Sequence, residues 1–123
     1  MWSVVLSFAM VMAAALVRVQ MWTPKGLMLA FGNREELPLA SSMAGRADRA
    51  ANNMLVSLLW FAALLLAAHA AGKAGTRLDQ AAQLFFWARL AYFPLYWAGI
   101  QFARTASWAV AIVAIGMVAS TLI

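Results

Sequence analysis

The sequence contains no cysteine, so disulfides, thiolate nucleophiles and cysteine metal sites are all excluded. Acid is scarce as well: four carboxylates and one histidine are too few to build a metal site from the protein alone. Charged residues make up 11% of the chain, against about 25% in an ordinary soluble domain. The nine basic residues give a net charge of +5, but they are scattered beside apolar runs and form no stripe for nucleic acid. What is abundant is apolar surface, 66% of the 123 residues. A soluble fold of one-domain size cannot bury that fraction, whereas lipid has no need to. The chain is therefore expected to be an all-α integral membrane protein, a single domain over residues 1–123.

A transmembrane helix needs roughly 20 mostly apolar residues, because the hydrocarbon core is about 30 Å thick and each residue rises about 1.5 Å. Four segments qualify, at about residues 1–22, 43–71, 78–99 and 105–123, which predicts a four-helix bundle. The first lacks the basic start of a signal peptide and is read as a retained span, with Trp2 and Trp22 at opposite interfaces. Thr23 to Ala44 is polar and holds Pro24, Gly26, Gly32 and Pro38, so it reads as a loop. Gly72 to Arg77 is a short connection that makes the second and third helices antiparallel neighbours. Pro94 should kink or shorten the third helix, and Thr105 or Ser107 should cap the fourth. Arg18, Lys25, Arg34, Arg46 and Arg49 cluster around the first loop and Arg104 marks the third, which predicts that loops one and three are cytoplasmic.

Polar side chains within spans are costly and mark candidate sites. On the second helix Arg46, Arg49, Asn53, Ser57 and Trp60 fall on one stripe, taking about 100° per residue. On the third, Arg89, Tyr92 and Tyr96 share a face. If the two faces meet, they form a pocket of three arginines, an amide and two phenols. Guanidinium groups offer forked donors that no pH change removes, and only Asp48 is near enough to neutralise one, so an anionic ligand suits the pocket. Each residue also has a plainer use: Arg46 and Arg49 as headgroup anchors, the tyrosines as interface aromatics, Asn53 as a helix–helix hydrogen bond. His69 reads as an interfacial residue.

The stretch Gly45-Arg46-Ala47-Asp48-Arg49-Ala50-Ala51-Asn52-Asn53 resembles the helix-two signature of the MAPEG family, membrane-associated proteins in eicosanoid and glutathione metabolism. Arg46, Arg49 and Asn53 fall on its two arginines and its asparagine. Gly32 to Pro38 is similar to the first loop of bacterial members, and Arg89 to Gly99 resembles the helix-three signature with its arginine and two tyrosines. Arg104 stands near the arginine that opens helix four in several members. The resemblance implies a homotrimer with glutathione as co-substrate, bound between subunits by Arg46, Arg49, Asn53, Arg89, Tyr92 and Tyr96. It implies Arg104 as the catalytic residue that stabilises the glutathione thiolate, and a bacterial inner membrane as the location. The family's glutamate, three residues after the asparagine, is Val56 here, which offers neither charge nor acceptor.

Two functions follow from this resemblance. One is a glutathione-dependent transferase or peroxidase acting on small lipophilic electrophiles that enter from the bilayer. The other is a non-catalytic protein of the same fold that binds a lipid or another anion. A small drug exporter is disfavoured, because the first helix has no carboxylate to carry protons.

Overall fold

The computed structural model describes residues 1–32, 39 and 41–123. The loop stretch Asn33 to Pro38, with Arg34, lies outside the described residues. Within them the chain forms five helices: α1 (Trp2–Val19), α2 (Pro24–Phe31), α3 (Ser42–Ala70), α4 (Thr76–Ala98) and α5 (Gln101–Ala119). Three of these, α1, α3 and α5, are long and apolar enough to cross a membrane. The sequence led us to expect four; α4 has the length, at 23 residues, but carries Arg77, Asp79 and Arg89.

Helix α2 corrects the expectation that the whole segment from Thr23 to Ala44 is a loop. The Thr-Pro pair that reads as a breaker is instead a helix start. The Thr23 side chain accepts a 3.0 Å hydrogen bond from the Gly26 amide, and Pro24 occupies the first turn, where no backbone donor is needed. Helix α1 ends on Gln20 in the left-handed region at φ 52°, and the turn that follows brings Gly26 against the carbonyls of Val19 and Gln20. A Cβ at position 26 would collide with that backbone, so this close approach requires glycine.

The start of α5 is a second correction. Its N-cap is Ile100, without a side-chain cap, and neither Thr105 nor Ser107 serves. Thr105 Oγ1 instead donates to the Gln101 carbonyl one turn back, and Ser107 Oγ crosses to donate to the Ala88 carbonyl of α4. Pro94 does not end α4, which runs on to Ala98 and stops at Gly99 in the left-handed region. Proline removes the donor that the Leu90 carbonyl would otherwise receive, so the helix continues past it with one hydrogen bond fewer.

Helix α1 packs chiefly on α3, and α4 chiefly on α5, with α3 also touching α4 and α5. The seams are lined by buried small residues, Ala47, Ala50, Ala51, Ala81, Ala111 and Ala114, which let backbones approach closely. Phe61 of α3 stacks on Phe85 of α4 with ring centroids 4.3 Å apart and planes 11° from parallel. The outer surface is apolar instead of charged, with Phe8, Leu59, Leu66, Trp87 and Val113 exposed. That arrangement suits a hydrocarbon solvent, which does not penalise an exposed leucine.

Candidate functional site

The N-terminal half of α3, the C-terminal half of α4 and the first turns of α5 meet at one end of the molecule. Arg46, Arg49, Asn53, Arg89, Tyr92, Tyr96 and Arg104 all lie there. Antiparallel packing explains the meeting: the short turn after Ala70 sends α4 back along α3, so late residues of α4 reach early residues of α3.

Arg89 is fully buried. Its Nη1 donates to Asn53 Oδ1 at 2.8 Å, and its Nη2 donates to Ser57 Oγ. Ser57 Oγ in turn donates to the Asn53 carbonyl at 2.8 Å. The guanidinium also lies 5.2 Å from the Tyr92 ring centroid and 5.7 Å from that of Phe85. No described carboxylate pairs with it; the one ion pair among the described residues joins Arg18 and Asp48, at 4.0 Å. The cation is held by neutral acceptors and by ring faces, a combination that leaves its charge uncancelled.

Arg49 and Arg104 approach Tyr96 from different helices. Arg49 Nε donates to the Tyr96 hydroxyl at 3.3 Å, while the Arg104 guanidinium lies over the Tyr96 ring at 4.8 Å. Tyr92 and Tyr96 are 5.3 Å apart and tilted by 53°. Arg46 Nε donates to the Trp97 carbonyl at 3.2 Å, close to the end of α4, where carbonyls lack helical partners. A cation there also meets the negative end of the helix dipole.

Two cavities flank the tyrosines. One, of about 420 Å³, is lined by Arg49, Asn52, Asn53, Val56, Tyr92 and Tyr96. The other, of about 200 Å³, is lined by Asn53, Tyr92, Tyr96, Arg104, Thr105 and Trp108. Asn53 and the two tyrosines form the shared wall. Among the described residues neither lining includes a carboxylate, and each includes an arginine.

Arg49, Asn53, Tyr92, Tyr96 and Arg104 line the two cavities, the first four from the two facing stripes and Arg104 from the start of α5. Four residues depart from the expectation. Arg89 lines neither cavity and acts behind the wall, on Asn53. Trp60 is 54% exposed, and Phe61 takes the inward position of that turn. Arg46 is spent on the Trp97 carbonyl beside the cavities instead of lining them. Asp48 turns to Arg18 on α1, away from the pocket arginines.

Sequence reasoning passed over Gly45, Asn52 and Trp108. A Cβ at Gly45 would stand 3.3 Å from Arg49 Nη1, so the glycine leaves room for the guanidinium to lie back along α3. Asn52 shows no sequence signal, since it sits one step off the arginine stripe. Trp108 belongs to no motif in the sequence and joins the lining of the smaller cavity through the placement of α5.

No curated protein and no solved structure matches the chain. The family model described as "MAPEG family" does match, over residues 1–123, and with its apolar helices the chain is a membrane protein belonging to the MAPEG family.

Proposed function

We propose that the site at Tyr96 binds glutathione through its anionic groups and activates it against lipophilic electrophiles dissolved in the bilayer. The observation that carries this reading is the pair of guanidinium groups on one phenol: Arg49 hydrogen-bonded to the Tyr96 hydroxyl and Arg104 over its ring. Two uncancelled cations beside open space are a site for anions, and glutathione has two carboxylates and an ionisable thiol. Arg49, the Asn53 amide and the tyrosine hydroxyls would hold the carboxylates. Arg104, the catalytic residue of this scheme, would stand by the sulfur.

A free thiol has a pKa of about 8.5, so a neighbouring guanidinium raises the fraction present as thiolate at neutral pH. In conjugation the thiolate sulfur forms a bond to the electrophilic carbon, a leaving group departs with its electron pair, and the thiol proton passes to solvent. In peroxide reduction two glutathiones become one disulfide, while the hydroperoxide becomes alcohol and water. The apolar outer surface gives a lipophilic co-substrate a route in from the side.

The same reading holds that α4 crosses the bilayer as the fourth span. Its length of 23 residues suffices at about 1.5 Å each, and Arg89 is hidden inside the protein. It also holds that the protein is a homotrimer. Arg49 and Asn52 are exposed on α3 beside Val56, and hydrocarbon is a poor solvent for them. A second copy would cover that face and close the larger cavity. The basic residues at the first and third loops support a reading in which those loops are cytoplasmic and the membrane is a bacterial inner membrane.

A second reading, a non-catalytic protein that holds a lipid or another anion, is favoured by Val56, which lines the larger cavity where the family resemblance calls for glutamate. Initial rates of glutathione conjugation to chlorodinitrobenzene, with protein in detergent micelles, separate the two. The enzyme reading expects turnover that Arg104→Ala lowers by about tenfold or more at neutral pH, with the deficit shrinking above about pH 9, where the thiol ionises unaided. Absence of turnover with retained anion binding leaves the second reading.

A further inference from the structure

The hydrogen bonds behind the pocket wall fix which atoms the wall can offer. A guanidinium has donors and no acceptor. The Asn53 side-chain atom facing Arg89 must therefore be its oxygen, and the structure has Oδ1 there, at 2.8 Å. The amide nitrogen is then turned to the other side, where Asn53 lines both cavities. Ser57 is consumed in the same way: its proton goes to the Asn53 carbonyl, and its oxygen accepts from Arg89. Tyr96 accepts from Arg49 Nε, which leaves its own proton to point elsewhere. Of the other two α3 positions that line the larger cavity beside Arg49, Val56 has nothing to offer an ammonium group, and Asn52 carries an amide one step off the Arg89-bonded face.

We propose that Arg89 is a positioning residue that sets the hydrogen-bond polarity of the site, by taking up the acceptors of Asn53 and Ser57 so that the wall presents donors and positive charge. The Asn53 face of the site consequently favours anionic groups on a ligand and offers no acceptor to an ammonium. For the glutathione reading, on which this inference rests in choosing its first probe, the α-amino group of the γ-glutamyl residue is not recognised by this wall. That amino group meets two guanidinium groups in the neighbourhood and no carboxylate among the described lining residues of one subunit.

The test is a ratio of affinities, measured by calorimetry on the intact protein in detergent. Glutathione is compared with glutaryl-cysteinyl-glycine, which is the same molecule without the amino group. The native protein should bind the analogue at least as tightly as glutathione. Asn53→Asp keeps the shape and the bond to Arg89 but turns the outward atom from a donor into an anionic acceptor. It should shift the ratio by about tenfold toward glutathione, the worth of one charge-assisted hydrogen bond. Arg89→Gln frees the Asn53 amide to turn over and should also move the ratio toward glutathione. A merely structural loss would weaken both ligands by the same factor and leave the ratio where it was. Native protein that prefers glutathione by tenfold or more over the analogue overturns the proposal, as does a ratio indifferent to both variants.

If neither tripeptide binds, the glutathione reading fails, and the polarity of the wall is read on a second pair, lysophosphatidic acid against lysophosphatidylethanolamine. Saturable binding that favours the lysophosphatidic acid, and loses that preference in Asn53→Asp, supports the inference. Preference for the ethanolamine lipid overturns it, and so does saturable binding of neither.

Discussion

The two ends of the α3–α4 seam are made of the same two helices and have opposite chemistry. Toward the short turn the seam is dry: Phe61 stacks on Phe85 at 4.3 Å, with Ala68, Leu78 and Ala81 buried around them. Toward the other end it is built from Arg89, Asn53, Ser57, Arg49 and Tyr96, joined by hydrogen bonds. In a bilayer the apolar half gains nothing by leaving water, and it holds through close packing of small and aromatic residues. The polar half would be a liability if left unsatisfied. It survives because its acceptors are matched to arginine donors, with Arg89 Nε left as a buried donor without a partner and the Asn53 amide lining the cavities. One end therefore fixes how the helices lie, and the other end has something to offer a ligand.

If that division is correct, substitutions at the two ends should fail differently. The largest effect is expected at Arg49, whose removal deletes charge-assisted contacts worth about 3 kcal/mol. Arg49→Ala should weaken glutathione binding by about a hundredfold in calorimetry, while reversible unfolding in mixed micelles stays near native, because Arg49 is exposed. Phe61→Ala should do the converse. It opens a void in a buried stack, lowers unfolding stability by about 2 kcal/mol, and leaves binding within about threefold.

Tyr96→Phe is subtler. It removes the acceptor for Arg49 Nε and one donor at the cavity wall, without a change of volume. A cost of about 1 kcal/mol, or about fivefold in the dissociation constant, is expected from the same titration. Least of all should follow from Trp60→Ala. Trp60 is 54% exposed on the outer face, so stability should change by no more than about 0.5 kcal/mol and binding not at all. A Trp60 variant that loses binding would mean that the stripe read from the sequence extends one turn further than the structure places it.

That stripe shows what the sequence makes legible and where it stops. Arg46, Arg49, Asn53 and Ser57 recur at helical spacing, so their common face is a matter of arithmetic. Which residue continues the face depends on how α3 crosses its neighbours, and the crossing selects Phe61 over Trp60. The same holds for Arg89. Its presence within an apolar run marks it as costly, but whether it faces a ligand or an internal acceptor depends on how far α4 is slid along α3. The stacking of Phe61 on Phe85 sets that slide, and it puts Arg89 level with Asn53 and Ser57.

The long apolar helices were readable because composition alone demands them; their ends were not. Thr23-Pro24 served as a helix start where it looked like a turn, and α5 began four residues before Thr105 with no side-chain cap. Capping residues compete with tertiary contacts, and Ser107 is taken by the Ala88 carbonyl of α4. Local sequence does not carry that competition.

The most direct measurement is the ionisation of glutathione in the presence of the protein, followed as thiolate absorbance against pH. Guanidinium groups placed as Arg49 and Arg104 are around Tyr96 should make bound glutathione ionise well below the usual thiol pKa of about 8.5, with Arg104→Ala returning it toward that value. A titration curve that coincides with that of free glutathione at saturating protein would contradict the assignment of this site to a thiolate.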